Sequence, residues 1–238
     1  TETPAANPDE IGRFGAKDVN DLSWKNIMDA FTCTECGRCT AECPANQTGK
    51  KLSPRKIMMD TRDRAEEVIR SQQGGGKGME DGKTLLDDYI SREELHACTT
   101  CNACVEACPV FVTPLDKIVD IRRNLTLGKG ALPPEAVSMI RDIEIYGDVY
   151  GKGSSFRADW AMNRGVSVTG PDDRDVEIVI WTGCSGAFHP RYQEVSRSLV
   201  NILKKSDISF RILGKNELCC GDPARRLGEE ELFLSLAK

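Results

Sequence analysis

The sequence predicts an α+β chain: an all-helical N-terminal part, then a shorter, truncated α/β part with parallel strands. Three observations predict it. The run CTECGRCTAECP, Cys33 to Pro44, returns as CTTCNACVEACP, Cys98 to Pro109. Each run stands between a capped helical pattern before it and a proline-opened helical pattern after it. From residue 175 onward the hydrophobic period shortens and strand-like runs alternate with helix-like ones, the pattern of a parallel sheet.

The elements follow in order. Residues 1–22 are polar and rich in Pro, Gly and Asp, and read as an arm. Ser23 caps a short helix through Phe31 that enters the first cysteine run. Ser53 and Pro54 open a longer helix with Ile57, Met58, Thr61, Ala65, Val68 and Ile69 on one face, broken by GGGKG at 74–78. Ser91 and Glu94 form a capping box for the helix entering Cys98. Thr113 and Pro114 start the next, with Leu115, Ile118, Val119 and Leu125 inward, and a further helix runs from Pro133 to Ile145. The unit of helix, cysteine run, Pro and helix thus occurs twice, an internal duplication. Residues 23–146 are expected to form one domain and 147–174 a Gly-rich, mostly irregular linker. Residues 175–238 then read as strand (DVEIVIW), helix (Arg191 to Lys205), strand (ISFRIL) and helix (Arg225 to Lys238).

Composition excludes several classes. A formal net charge of -5 leaves no basic footprint, so nucleic acid is not an expected partner. The longest apolar run, VEIVIW, suits a buried strand and falls far short of a membrane span. The opening TETPAANPDE has neither the charged nor the apolar region of a secretory signal, and without an initiating Met it reads as part of something longer. Eleven cysteines at tight spacing, with no sign of secretion, point to metal or redox chemistry rather than a disulfide framework.

Each early run is Cys-x-x-Cys-x-x-Cys-x-x-x-Cys-Pro. Three thiolates at that spacing wrap one corner of an iron–sulfur cube, because the residues between them turn sulfurs and amide N–H groups to the same side. The fourth Cys lies too far along to close the same cube, and in two-cluster ferredoxins it ligates the other one. One 4Fe-4S cluster is therefore expected on Cys33, Cys36, Cys39 and Cys108, and a second on Cys98, Cys101, Cys104 and Cys43. Zinc fits less well, since its sites use paired Cys-x-x-Cys blocks that make four ligands.

Other features have plainer readings. Arg38 and Lys50 are expected at solvated positions, and His96 in helix packing rather than ligation. GGGKG and GKGSS lack the spacing and the strand–helix setting of a phosphate loop. Cys184 follows the first strand and the Cys219–Cys220 pair follows the second. The carboxyl ends of parallel strands are where cofactors gather, so these three thiols are expected to converge. A buried structural cysteine pair is the alternative. Asp222 and Pro223 shape a turn, and His189 starts a helix. No catalytic triad, Rossmann fingerprint or nucleotide loop occurs, so no flavin or nicotinamide site is read here.

The two ferredoxin runs followed by GCSGAFHPRY and LCCGDPARRLGEEELF resemble the iron–sulfur oxidoreductases with cysteine-rich CCG domains. The likeness is closest, through CCGDPARR and SWKNIMDAFTCTECGRC, to the membrane-bound electron-transfer flavoprotein:quinone oxidoreductases, with heterodisulfide reductase subunits as relatives. It covers the chain from Gly12 onward. It implies a helical ferredoxin domain and a partial CCG domain, in which Cys184, Cys219 and Cys220 match the first three metal ligands of a CCG cluster. The family's distal Cys-x-x-Cys has no counterpart before Lys238, so a third, CCG-type cluster is implied only for a longer chain.

The resemblance also implies function. The chain is expected to be an electron-transfer part of an oxidoreductase, passing electrons between an electron-transfer flavoprotein, or another flavin dehydrogenase, and quinone. The quinone would be reached through a membrane domain outside this chain, at the cytoplasmic face of the membrane. An iron–sulfur subunit of a glycolate, lactate or glycerol-3-phosphate dehydrogenase is the second expectation. A heterodisulfide reductase-like thiol–disulfide enzyme is the third, and a zinc-stapled module without redox activity the last.

Overall fold

The computed structural model describes residues 14–75, 81–162, 165–168 and 176–237. The chain is α+β and divides into two compact units. Thr1–Ala131 and Arg226–Glu229 form the first, Leu132–Arg225 and Glu230–Lys238 the second.

The first unit is helical. Helix α1 (Trp24–Thr32) starts where Ser23 Oγ accepts the Asn26 N–H at 3.2 Å. Two one-turn helices, α2 (Arg38–Ala41) and α3 (Pro44–Gln47), belong to the first cysteine run. Helix α4 (Pro54–Gln73) has Pro54 in its first turn and Ser53 capping the Lys56 N–H at 3.3 Å. It buries Ile57, Met58, Thr61, Ala65 and Val68. Ile69, expected on that face, is 45 % exposed, because the neighbouring helices cover only the stripe centred on Ile57 and Ala65.

The Ser91–Glu94 capping box forms as the sequence requires, with Ser91 N–H to Glu94 Oε2 at 2.9 Å, and it opens α5 (Arg92–Ala97). Helix α6 (Ala103–Glu106) lies in the second run and α7 (Pro114–Arg123) follows it. Here Lys117, Ile118, Ile121 and Arg122 are buried, while Leu115 and Val119 are half-buried. The inward face of α7 is thus rotated from the purely apolar one, which puts two cations inside. The end of the expected polar arm is also core. Asp18, 2 % exposed, accepts the Val19 and Leu85 N–H groups and pairs with the buried Arg64 at 2.8 Å.

The second unit begins with α8 (Pro134–Tyr146) and ends in a small sheet. Strands β1 (Ile178–Ile180) and β2 (Phe210–Ile212) are parallel, with Ile178 opposite Phe210 and Ile180 opposite Ile212. Helices α9 (Gly183–Phe188) and α10 (Pro190–Lys205) form the crossover. Trp160, Ile180, Ala187, Val200, Leu203 and Ile212 make its core. The strands have three residues each, shorter than the runs that predict them. Gly183 and Gly214, both at positive φ, turn the chain soon after each one.

Two further differences concern 147–174 and the last helix. Part of the expected linker is packed structure: Asp148, fully buried, accepts N–H groups from Tyr150 (2.7 Å), Lys152 (3.1 Å) and Gly153 (2.7 Å). Residues 163–164 and 169–174 of that stretch lie outside the described residues, as do Gly76 to Gly78 of the glycine loop. The expected helix Arg225 to Lys238 is two helices, α11 (Asp222–Leu227) and α12 (Glu230–Leu236). Gly228, at φ +87°, breaks it, and a Cβ there would lie 2.5 Å from the Arg122 carbonyl carbon.

Candidate iron–sulfur centres and the CCG thiols

The two cysteine runs share a backbone course. Glu35 and Gly37 in the first, and Thr100 and Asn102 in the second, all have positive φ (56°, 81°, 55° and 63°). These are the third and fifth positions of each run, so the duplication extends to the dihedral angles. Left-handed residues alternating with right-handed ones make a concave ring of N–H groups suited to an anionic group. Thr100 N–H donates to Cys98 Sγ at 3.4 Å, and the Arg38 N–H donates to Cys36. A one-turn helix follows each ring, α2 after Gly37 and α6 after Asn102.

The sulfurs then gather around two cavities in the first unit. Cys33, Cys36, Cys39 and Cys108 line one, with Met58, Val110 and Val112 as apolar wall. Cys98, Cys101, Cys104 and Cys43 line the other, with Leu52, Leu115 and Ile118. Cys104 borders both. The fourth Cys of each run therefore faces the cavity of the other run, more than fifty residues away in sequence.

Among the described residues no three His, Cys, Asp or Glu side chains close on a single ion-sized point. The cysteines ring a space instead, which is what a multi-atom iron–sulfur group needs and a lone zinc does not.

Burial tunes these thiols. It pushes Cys39 and Cys98 up, and Cys104 up to about 12, where Cys98, Cys39, Cys43 and Cys101 add like charge. Cys36 is lowered, first by the Arg38 N–H. A dry ring of thiolates that repel one another is stable only around cationic iron, so ligand deprotonation and metal binding are coupled. Cys43 and Cys104 are buried, and Cys36 and Cys101 are exposed. Arg38 and Lys50 are exposed, and His96 is half-buried in α5, its pKa lowered by burial and by Arg122 and Arg92.

In the second unit Cys184 sits on α9 just past β1, and Cys219 and Cys220 come after β2. The Cys184 and Cys219 thiols share a hydrogen bond, whereas Cys220 is exposed. Two of the three thiols therefore meet. Two residues that sequence reasoning did not find hold them. Arg157, 1 % exposed, donates to Cys184 Sγ at 3.2 Å and to the Gly147 carbonyl at 3.0 Å, and pairs with Glu217 at 3.0 Å. Glu217 in turn accepts the Thr182 and Gly183 N–H groups at 3.2 and 2.7 Å, fixing the loop that carries Cys184. Gly147 O also accepts the Cys219 N–H at 2.7 Å.

The consequence is electrostatic. Cys184 is lowered to about 6, chiefly by the Cys219 hydrogen bond and then by the Val149 N–H and Arg157, while Cys219 is raised. Arg157 and Glu217 are sixty positions apart and neither belongs to a motif, so no local signal marks them. Losing either one leaves the other charge buried and unpaired, at a cost of about 3–5 kcal/mol.

Residues 32–112 match the family model of the 4Fe-4S dicluster domain, and residues 178–238 that of the cysteine-rich CCG domain. The chain joins a 4Fe-4S dicluster domain to a cysteine-rich CCG domain and is similar to iron–sulfur oxidoreductases. Its dicluster domain is a carrier of 4Fe-4S clusters. This CCG-domain chain is 34 % identical to the "EtfAB:quinone oxidoreductase" of Syntrophomonas wolfei, over 97 % of its own length and 35 % of that protein. It is 33 % identical to the "Probable membrane-anchored ferredoxin" of Chromohalobacter salexigens, over 94 % of its length and 35 % of the relative. It is also 26 % identical to one of the polypeptides of the dihydromethanophenazine:CoB–CoM heterodisulfide reductase of Methanosarcina mazei, over 89 % of its length and 50 % of the relative. The chain thus spans about a third to a half of the relatives it matches. No helix among the described residues is long and apolar enough to cross a membrane.

Proposed function

We propose that the chain relays electrons one at a time between a flavoprotein donor and quinone, through two 4Fe-4S clusters. Cys33, Cys36, Cys39 and Cys108 hold the first, and Cys98, Cys101, Cys104 and Cys43 the second. The observation that carries this reading is the pair of cavities, each lined by four such cysteines and sharing Cys104 as a common wall. When bound, the clusters supply one-electron storage at potentials set by their surroundings. The residues of the chain do the rest. Met58, Val110, Leu52 and Ile118 exclude water, and the Thr100 and Arg38 N–H groups draw charge from the sulfurs they face. Cys36 and Cys101 give each site a solvent-facing side for electron entry or exit. The flavoprotein and quinone are suggested by the name of the Syntrophomonas relative. Attachment at the cytoplasmic face of a membrane, beside a quinone-reacting domain, is in keeping with the membrane-anchored relative.

The test uses anaerobically purified chain, expected to be brown with about eight irons, four per cluster. Reduced electron-transfer flavoprotein should bleach its visible absorbance, and a water-soluble quinone should restore it. Clusters that stay oxidised with the flavoprotein yet reduce with dithionite would exclude this donor. The Cys184–Cys219 contact favours a second reading, thiol–disulfide chemistry at the CCG site. A small disulfide that reoxidises the reduced chain faster than quinone would select it.

A further inference from the structure

We propose that Arg122 is the charge partner of the second cluster and makes that cluster the electron acceptor of the pair. The proposal rests on the ligand sets given above.

Arg122 is 3 % exposed. Its Nε donates to the Leu95 carbonyl at 3.1 Å, and Nη2 donates to the carbonyls of Leu95 and Cys98, the latter at 2.6 Å. Nη1 donates to the Arg226 carbonyl at 2.7 Å. Every acceptor is a neutral carbonyl, and no carboxylate pairs with this guanidinium among the described residues. A buried cation without a counterion is costly, and structures keep one where an anion offsets it. The cluster ligand that Arg122 holds directly is Cys98, whose carbonyl accepts from Nη2, so the charge that offsets the guanidinium would be that of the cluster it carries. A second cation stands close by: Arg226 Nη1 donates to the Thr99 carbonyl at 3.1 Å, within the same cysteine loop.

Among the described residues no buried arginine or lysine side chain donates to the backbone of the Cys33–Cys43 run. Arg55 lines the first cavity but is exposed, where water and salt screen its charge. Glu35 also lines it and is neutralised by Arg62 at 2.6 Å. Reducing a cluster adds one negative charge. A dry, uncompensated cation beside it favours the reduced form and raises its potential, while screened or paired charges do little. The electron therefore settles on the Cys98 side, and flow runs from the Cys33 cluster to the Cys98 cluster. Arg122 is a positioning residue in this sense, acting on the cluster through its charge and through the loop it holds.

Redox titration of the iron-loaded chain, followed by spin resonance, tests it. The two signals are assigned by their loss or alteration in Cys33→Ser and Cys98→Ser. In the parent protein the Cys98-dependent signal should titrate at the higher potential, a result that needs no arginine variant. Arg122→Met should lower the midpoint of that signal alone, and Arg122→Lys should hold it near the parent value. Arg122→Gln, which keeps amide donors for the same carbonyls but removes the charge, should lower the same signal as Arg122→Met does, and it keeps the test open if Arg122→Met does not fold. A Cys98-dependent signal at the lower potential, or arginine variants that move both signals equally or neither, overturns the proposal. If instead Cys43→Ser removes the Cys33-dependent signal, the ligand sets are wrong, which is a different failure.

Discussion

Lys117 lies wholly inside α7, and its Nζ has no hydrogen-bond partner. Burial pushes the ammonium down to about 8, against the pull of Asp29, Asp116 and Asp120 and with the push of Lys25. The sign of its contribution follows. Between pH 8 and 10.5 the unfolded chain carries the proton more fully than the folded one, so stability rises with pH across that window. Below it the full penalty of burying the charge remains. Lys117→Met removes the penalty and keeps the length of the side chain. Urea unfolding should show Lys117→Met more stable at pH 7 by roughly 3 kcal/mol, with the gain shrinking to nothing near pH 10.5. An unchanged midpoint at pH 7 would mean that Asp29 already compensates the charge. Arg157 and Arg122 differ from Lys117 in kind: the Nη groups of each donate to named acceptors, and their charges serve the thiol sites.

Each cysteine run depends on two residues held in the left-handed region. At the fifth position one run has Gly37 and the other Asn102, the two residue types that adopt this conformation most readily. A Cβ on Gly37 would meet nothing closer than Arg55 Nη1 at 3.9 Å, so substitution there costs backbone strain alone. Asn102→Gly should leave the unfolding midpoint and iron content unchanged. Gly37→Val and Asn102→Val should each lose about 1–2 kcal/mol and release iron faster to a chelator. Valine at either position with no effect on iron release would show that the ring does not need its left-handed turn. The same element-level rules made the helix starts legible. Ser23, Ser53 with Pro54, and Ser91 with Glu94 act within one turn of themselves, so spacing alone locates them. They failed where a stripe had to be matched to neighbours not yet known, as for Ile69 and for the buried cations of α7.

Across the whole molecule the crossing of Cys43 and Cys108 ties the two halves of the duplication together. If the proposed ligand sets hold, Cys43→Ser should weaken the cluster of Cys98, Cys101 and Cys104 and spare that of its sequence neighbours. Spin resonance of Cys43→Ser should then match Cys98→Ser, and a match to Cys33→Ser would mean that each run closes its own site. The sequence by itself determined the things that act over a few residues: the doubled cysteine ruler, the capped helices, the change to a parallel strand–helix period and, through these, an iron–sulfur chain with a CCG end. Only the tertiary structure decided that Cys104 borders both cavities, that Cys184 and Cys219 meet while Cys220 faces solvent, and that Arg157–Glu217, Arg64–Asp18 and Arg122 hold buried charge at these places. The reason is range. A turn or a cap is fixed by neighbours along the chain. A buried ion or a shared cavity is fixed by partners roughly 30 to 100 positions away, and the energy that keeps a charge inside exists only once those partners have been folded against it.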